Sequence, residues 1–355
     1  MNRRQFMQQG FFSLLGSRHL FAKLEGQALS LLPPPISFIW LGALSGTSVR
    51  GKVRMDTTTT TAVRLVVSTT AALDAPIYSA VDNAQTSNNF VADLTVDTLQ
   101  PDTTYYTAVE VDGVVDSSQM ITFHTPAVGP YTFQFACSAC AHQQTQFDIF
   151  TTIRNHNLLF YRHLGDLHYR NITANDVDVY RTAYDEIFDS STTSQGDLYR
   201  HVPIVYTWDD HDYGENNSDR TSPSKQAACQ TYREYVPHYP LADAAPNAPI
   251  YHAFTIGRVR FIICDSRAER SPYTWATDPN ATMLGDTQKA WFKQELTDAR
   301  DNGQFVIFTS GSPWLGEPEG GNPNNDTWYG YSVEREELAD FIEGLGMNGR
   351  VLALC

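Results

Sequence analysis

The chain has 355 residues, 42% of them hydrophobic, and its 25 basic against 40 acidic side chains give a formal charge of −15 and an isoelectric point near 5.0. At about 150 residues per domain, this length predicts two domains. Six tryptophans, 18 tyrosines and 19 phenylalanines exclude a disordered chain, no apolar stretch reaches the ~18 residues of a membrane-spanning helix, and the acidity argues against nucleic-acid binding through a basic surface.

The chain opens on Arg3-Arg4-Gln5-Phe6 and a short, mildly apolar run through Gly10-Phe11-Phe12-Ser13-Leu14-Leu15-Gly16. This pattern resembles a twin-arginine export signal, with a small-residue cleavage site at Gly26-Gln27-Ala28 ahead of the Pro33-Pro34-Pro35 hinge. It predicts a periplasmic, cell-surface or secreted protein; the plainer alternative is an amphipathic segment docked on the fold. Five cysteines form no disulfide framework in a chain this long.

From Ile36 to about Thr125 the text is all-β. Short runs such as Val63–Val67 and Tyr106–Val111 are rich in β-branched and aromatic residues, and Asp112-Gly113 supplies a hairpin turn. The Thr57–Thr61 tract is part of a strand or its approach. Leu99-Gln100-Pro101-Asp102-Thr103-Thr104-Tyr105-Tyr106 resembles the stretch of a fibronectin type III β-sandwich where a tyrosine anchors a corner. The expected division is an export signal and hinge over 1–35, a sandwich over 36–127 and a second domain over 128–355, with Ala127-Val128-Gly129-Pro130 as linker. Residues 1–127 carry 8 basic and 10 acidic groups and residues 128–355 carry 17 and 30, so the negative excess lies in the second domain.

After Tyr131, strands alternate with helices, which implies a layered α/β domain. Strands are predicted at Tyr131–Ala136, Leu158–Leu164, Val202–Thr207, Val259–Cys264 and Phe305–Thr309, and helices at Val177–Phe188, Asp286–Arg300 and Arg335–Leu345. The Trp291, Phe292, Leu296, Ala299 stripe reads as core.

Four successive strands are each followed by ligand-type residues. These are Cys137-Ser138-Ala139-Cys140-Ala141-His142, Gly165-Asp166-Leu167-His168-Tyr169, Trp208-Asp209-Asp210-His211-Asp212 running on to Asn217, and Asp265-Ser266-Arg267. In α/β sheets the carboxyl edge is where sites are built. Three carboxylates and an imidazole between Asp209 and Asp212 are costly to place together unless a cation compensates them. Hard oxygen donors suit Ca²⁺ or Mg²⁺, whereas a thiolate and a phenolate favour Fe³⁺ or Zn²⁺, so a mixed set suggests more than one metal. Metal ions also resolve a puzzle of sign, because they invert a potential that would repel a phosphate ester. Cys137-x-x-Cys140 alone also admits a redox pair or half a zinc site; the preferred reading ends a buried strand at Cys137 and leaves Cys140 as a ligand.

These motifs resemble the PhoD-like alkaline phosphatases and phosphodiesterases of the metallophosphoesterase superfamily. The resemblance rests on Gly165-Asp166-x-x-Tyr169 followed by Trp208-Asp209-Asp210-His211-Asp212. Further matches are Phe38–Ala43, Cys264–Pro272, Met283–Gln288, Ser312-Pro313-Trp314 and Asp326–Arg335. It implies an α/β/β/α metallophosphatase domain acting on phosphate mono- or diesters. It also implies Fe³⁺ held by Cys140, Asp166 and Tyr169, and Ca²⁺ bridged by Asp166 and taking donors from Asp210, with Asn216 and Asp265 as weaker candidates. Zn²⁺ or Mg²⁺ are secondary choices. His211 would contact the phosphoryl group and assist the leaving oxygen, and Arg267 would neutralise a phosphate oxygen. Asp209 is expected as a buried cap and His168 as a satisfied core histidine. Relatives continue from a strand like Val351–Cys355 into Gly-Asp-x-His, so the resemblance also implies a domain shortened at its C-terminal end, with its activity in question. Two other readings compete. One is a non-catalytic surface-binding protein that uses the sandwich and keeps a relic α/β domain. The other is an esterase using Ser310 or Ser312, which lacks the Gly-x-Ser-x-Gly elbow.

Overall fold

The computed structural model describes residues 35–189, 194–275, 278–315 and 326–355. The expected export signal and its cleavage site lie outside these residues. Among the described residues, no helix is long and apolar enough to cross a membrane.

The N-terminal region forms β1 (Ile36–Gly42), β2 (Val49–Met55), β3 (Thr61–Ser68), β4 (Ile77–Tyr78), β5 (Asp82–Ala84), β6 (Val91–Val96), β7 (Thr104–Val111) and β8 (Val114–His124). Asp112 (φ 48°) and Gly113 (φ 83°) supply the two left-handed residues that the β7–β8 hairpin needs, with Val111 opposite Val114. Tyr105 is buried, and its hydroxyl accepts a 2.8 Å hydrogen bond from the Gln100 amide, so the corner is tied by a tyrosine as the sequence suggested. The Thr57–Thr61 tract is the approach to β3.

The second region adds β9 (Phe135–Ser138), α1 (Asp148–Arg154), β10 (Phe160–His163), α2 (Val177–Ile187), α3 (Gln195–Tyr199), β11 (Ile204–Tyr206), α4 (Asp210–Tyr213) and α5 (Lys225–Tyr235). It continues through β12 (His252–Ile256), β13 (Val259–Ile263), α6 (Gly285–Asp301), β14 (Phe305–Thr309), α7 (Ser332–Gly344) and β15 (Val351–Leu354). The three predicted helices form within a few residues of their expected limits; α1, α3, α4, α5 and β12 were not anticipated.

Sheet order corrects the picture of a self-contained sandwich. One six-stranded sheet runs β6-β2-β1-β11-β10-β9, and β1 joins the second region directly, parallel to β11 through Gly42 and Ile204. The reason lies in the two faces of β1. Ile39 and Leu41 enter the core shared with β3 and β7, while Phe38 and Trp40 enter a second core with Tyr161, Tyr206, and Tyr184 of α2 and Tyr235 of α5. Both faces of this strand are therefore covered, and the break in composition at residue 127 is not a break in the core.

Strands β12-β13-β14-β15 form a separate sheet, with β12 antiparallel to β13 and the rest parallel. Phe160, Val205, Phe254, Phe261 and Ile263 pack between the two sheets. Phe292, Leu296, Ala299 and Leu338 of α6 and α7 cover the outer face of the second sheet. The helix–sheet–sheet–helix layering matches the expected α/β/β/α order. The predicted first strand is shifted: it pairs only over Phe135–Ser138, as the edge of its sheet, and Cys137 is consequently exposed within the strand instead of closing a buried one.

Candidate metal centre

The loops leaving β9, β10 and β11 are bound together by their backbones. The Cys140 amide donates to the Gly165 carbonyl (3.0 Å) and the Ala141 amide to the Asp166 carbonyl (3.1 Å). Asp212, fully buried, is the common acceptor: it receives the amides of Asp209 (2.7 Å), Leu167 (3.0 Å) and Asp166 (3.3 Å), together with the Tyr206 hydroxyl. Gly165 (φ 127°) lets the two loops touch, since a Cβ there would lie 2.5 Å from Asp209 Cβ.

This framework brings together most of the donors named from sequence. Cys140 Sγ lies 3.5 Å from Asp166 Oδ2, and the Tyr169 phenol stands close enough to both side chains to be perturbed by them. Cys140 (φ 60°) and Asp166 (φ 58°) both hold left-handed backbone, a strain that persists where surrounding structure enforces it. Asp166, Asp210 and His211 place their ligand atoms within 4.8 Å of one another. Burial, and then the neighbouring Asp210, push the Asp166 carboxyl up; burial and the neighbouring Asp166 push the Cys140 thiol up to about 11, with Tyr169 opposing; burial and both partners push the Tyr169 phenol far higher. Each shift disfavours the ionised form that a metal requires, and a cation at this point would reverse all three together. Carboxylate, thiol, phenol and imidazole in one place is a donor set that fits metal ions.

His211 sits over Tyr169 with ring centres 4.2 Å apart, and its Nδ1 pairs with Asn171 Oδ1. Asn171 had no signal in the sequence beyond following the Gly-Asp-x-x-Tyr motif, and Gln143, whose Oε1 accepts the Tyr169 amide at 3.0 Å, had none beyond following Cys140-Ala141-His142.

Next to the donors lies a buried charge network. The Arg267 side chain has no exposed surface, and its Nε donates to Asp209 Oδ1 (2.6 Å). Its Nη1 reaches the Ser218 carbonyl (3.2 Å) and Asp326 Oδ1 (2.8 Å); its Nη2 reaches Ser312 Oγ (3.3 Å) and Asp326 Oδ2. Asp210 Oδ1 stands 3.8 Å from Nη2. Arg270, also buried, pairs with Asp326 Oδ1, the oxygen that Arg267 Nη1 also contacts, and donates to the Tyr331 hydroxyl at 2.9 Å. Burial opposes the charge of Arg267, yet Asp209 and Asp326 keep its pKa well above the usual range; burial likewise opposes the charge of Asp326, and the two guanidiniums hold its carboxyl well below.

Other residues named from sequence carry partners that the sequence did not indicate. Asp265 is fully buried and belongs to neither carboxylate group found among the described residues. Its Oδ1 accepts Trp208 Nε1 (2.9 Å) and the amides of Arg267 and Ala268 (3.0 Å each), and its Oδ2 accepts the Ile250 amide (3.0 Å). A carboxylate held by four N–H donors braces the loop. Asn216 is exposed, and the amide of its neighbour Asn217 donates to Asp210 Oδ2 at 2.7 Å. Asp209 is the N-cap of α4, in a reciprocal capping box with Asp212 as expected, and is in addition an ion-pair partner of Arg267. His168 is buried with Nε2 unpartnered, and burial pushes its pKa down to about 3, so it is a neutral core histidine but not a fully satisfied one. Ser310 accepts from Trp328 Nε1 at 3.0 Å and Ser312 from both arginines, and neither hydroxyl is hydrogen-bonded to a base among the described residues. Asp326 was visible at the head of its motif without a role.

A family model described as PhoD-like phosphatase matches residues 133–353, more than half of the chain. "Alkaline phosphatase D" of Bacillus subtilis (strain 168) is 29% identical over 183 residues, a match spanning 42% of this chain and 30% of that protein's length. Among solved structures, "Structure of PhoD" superposes with a TM-score of 0.76 at 19% identity, over 89% of this chain and 70% of that one. Purple acid phosphatase PPD1 from yellow lupin (Lupinus luteus) seeds follows with a TM-score of 0.53 at 11% identity, over 80% of this chain and 52% of that one. At these identities the two structures show the fold alone.

Proposed function

Because the chain belongs to the PhoD-like phosphatase family, we propose that it hydrolyses phosphate mono- or diesters at a metal centre built from Cys140, Asp166, Tyr169 and Asp210. The supporting observation is the convergence of thiol, carboxylates and phenol from three separate loops. Cys140, Asp166 and Tyr169 suit Fe³⁺, and Asp166 with Asp210 suits Ca²⁺; Zn²⁺ or Mg²⁺ are second choices. Bound there, the ions polarise a phosphoryl oxygen and lower the pKa of a water.

The chain's own groups orient and neutralise. Asn171 fixes the His211 ring through Nδ1, which leaves Nε2 to give a proton to the leaving oxygen. Arg267, 3.8 Å from Asp210, balances charge on the phosphoryl group. All of these residues lie in 128–355, and we read 36–127 as the buttress that braces their sheet through β1. The Arg3-Arg4 segment supports export to the periplasm, cell surface or medium.

Metal analysis combined with para-nitrophenyl phosphate and bis-para-nitrophenyl phosphate assays tests the reading. Hydrolysis should depend on bound metal, and the ratio of the two rates reports mono- against diesterase preference. An apoprotein that hydrolyses both esters as fast as the holoprotein would sink it.

A further inference from the structure

Arg267 has no donor to spare. A guanidinium carries five N–H groups, and five acceptor contacts surround this one: Asp209 at Nε, Ser218 O and Asp326 Oδ1 at Nη1, Ser312 Oγ and Asp326 Oδ2 at Nη2. If Arg267 is to bind a phosphoryl oxygen, one partner must leave. Asp209 is confined, because a Cβ on Gly165 would come within 2.5 Å of its Cβ and a Cβ on Gly311 within 2.5 Å of its Oδ1. Ser312 is buried, and Ser218 offers a backbone carbonyl on a buried residue. Asp326 is the exception: its side chain is 23% exposed against 13% for Asp209. It also stays compensated if it leaves, since Arg270 contacts the same oxygen, Oδ1, that Arg267 Nη1 contacts.

We propose that Asp326 is a built-in competitor of the phosphoryl group for Arg267, which the substrate displaces onto Arg270 when it binds. A carboxylate forked between guanidiniums and a phosphate present the same acceptor geometry, so the exchange preserves the hydrogen bonds of Arg267 while Arg270 keeps the carboxylate compensated. Asp326 is thereby a specificity-determining residue: a phosphoryl dianion displaces a carboxylate better than a monoanionic diester does. The inference rests on the reading of Arg267 as the phosphate-contacting residue.

Two measurements on the metal-loaded full chain test it, both with inorganic phosphate as the probe. The Asp326→Asn variant removes the competing charge, and its inhibition constant for phosphate should fall by roughly tenfold, the worth of one charge-assisted contact. An unchanged or weaker constant overturns the proposal. In the wild-type protein, where folding is not at issue, carbodiimide-coupled glycinamide labelling of Asp326, read by peptide mass spectrometry, should change with saturating phosphate as the carboxylate moves. Labelling that is the same with and without phosphate overturns it. Ester hydrolysis by a protein that fails both arms defeats the displacement alone, whereas a protein that neither binds phosphate nor hydrolyses either ester defeats the phosphatase reading and the displacement with it.

Discussion

Replacing Asp265 by asparagine separates a structural carboxylate from a metal ligand. The side chain has no exposed surface and accepts four N–H donors: three on Oδ1 from Trp208, Arg267 and Ala268, and one on Oδ2 from Ile250. An asparagine that keeps its carbonyl at the Oδ1 position turns its NH₂ toward the Ile250 amide, donor against donor. The variant therefore loses one charge-assisted bond outright and weakens three more, for a cost of about 3 kcal/mol. Urea denaturation of metal-free protein should show this loss, because no ion enters the argument. Metal content per folded molecule should stay at the wild-type value, since the donor cluster of Asp166, Asp210 and His211 excludes Asp265. A variant of wild-type stability that binds one metal fewer would refute this reasoning and restore Asp265 as a ligand.

The remaining predictions concern backbone geometry and charge. Gly165→Ala drives a Cβ to 2.5 Å from Asp209 at φ 127° and should cost about 3 kcal/mol or more, whereas Gly113→Ala, at φ 83° with nothing within 4 Å, should cost about 1 kcal/mol; equal losses in urea would contradict the packing argument. Lys52, buried against Asp93 and the Arg233 carbonyl, has its pKa pushed down from 10.5 to about 8, chiefly by burial. The folded state then binds fewer protons than the unfolded one between pH 8 and 10.5, so stability rises with pH across that window, by about 3 kcal/mol in total. The wild-type minus Lys52→Met difference in unfolding free energy should show this rise, and a difference that stays flat from pH 7 to 11 would show that Lys52 titrates normally.

Sequence reasoning reached the donors because each follows an apolar run, and the ends of such runs meet at one edge when the strands are parallel. Asp166 and Asp210 were legible for that reason. Asp265 looked equivalent but accepts an indole and three amides, because a carboxylate after a strand can turn outward to an ion or inward to such donors, and the packed neighbours Trp208 and Ile250 bear on which. Asp326 lay beyond reach for a related reason: its partners Arg267 and Arg270 come from a distant loop, and no local spacing encodes the pairing. The helix stripe at Phe292 and Leu296 was readable from its period. The continuity of the first sheet was not, because alternation in Phe38–Leu41 looks the same whether the far face meets water or the helices that cover it. Exposure of Cys137 follows from the edge position of β9, a property of strand order that periodicity does not carry.

The claim that one centre unites Cys140, Asp166 and Tyr169 is tested most directly by the visible absorption of iron-loaded protein. A phenolate or thiolate bound to Fe³⁺ gives a charge-transfer band, and Tyr169→Phe should remove or strongly shift it, while Tyr131→Phe, at a partly buried phenol away from the centre, leaves it unchanged. A band identical in wild-type and Tyr169→Phe protein, or iron-loaded protein with no such band, would contradict the account.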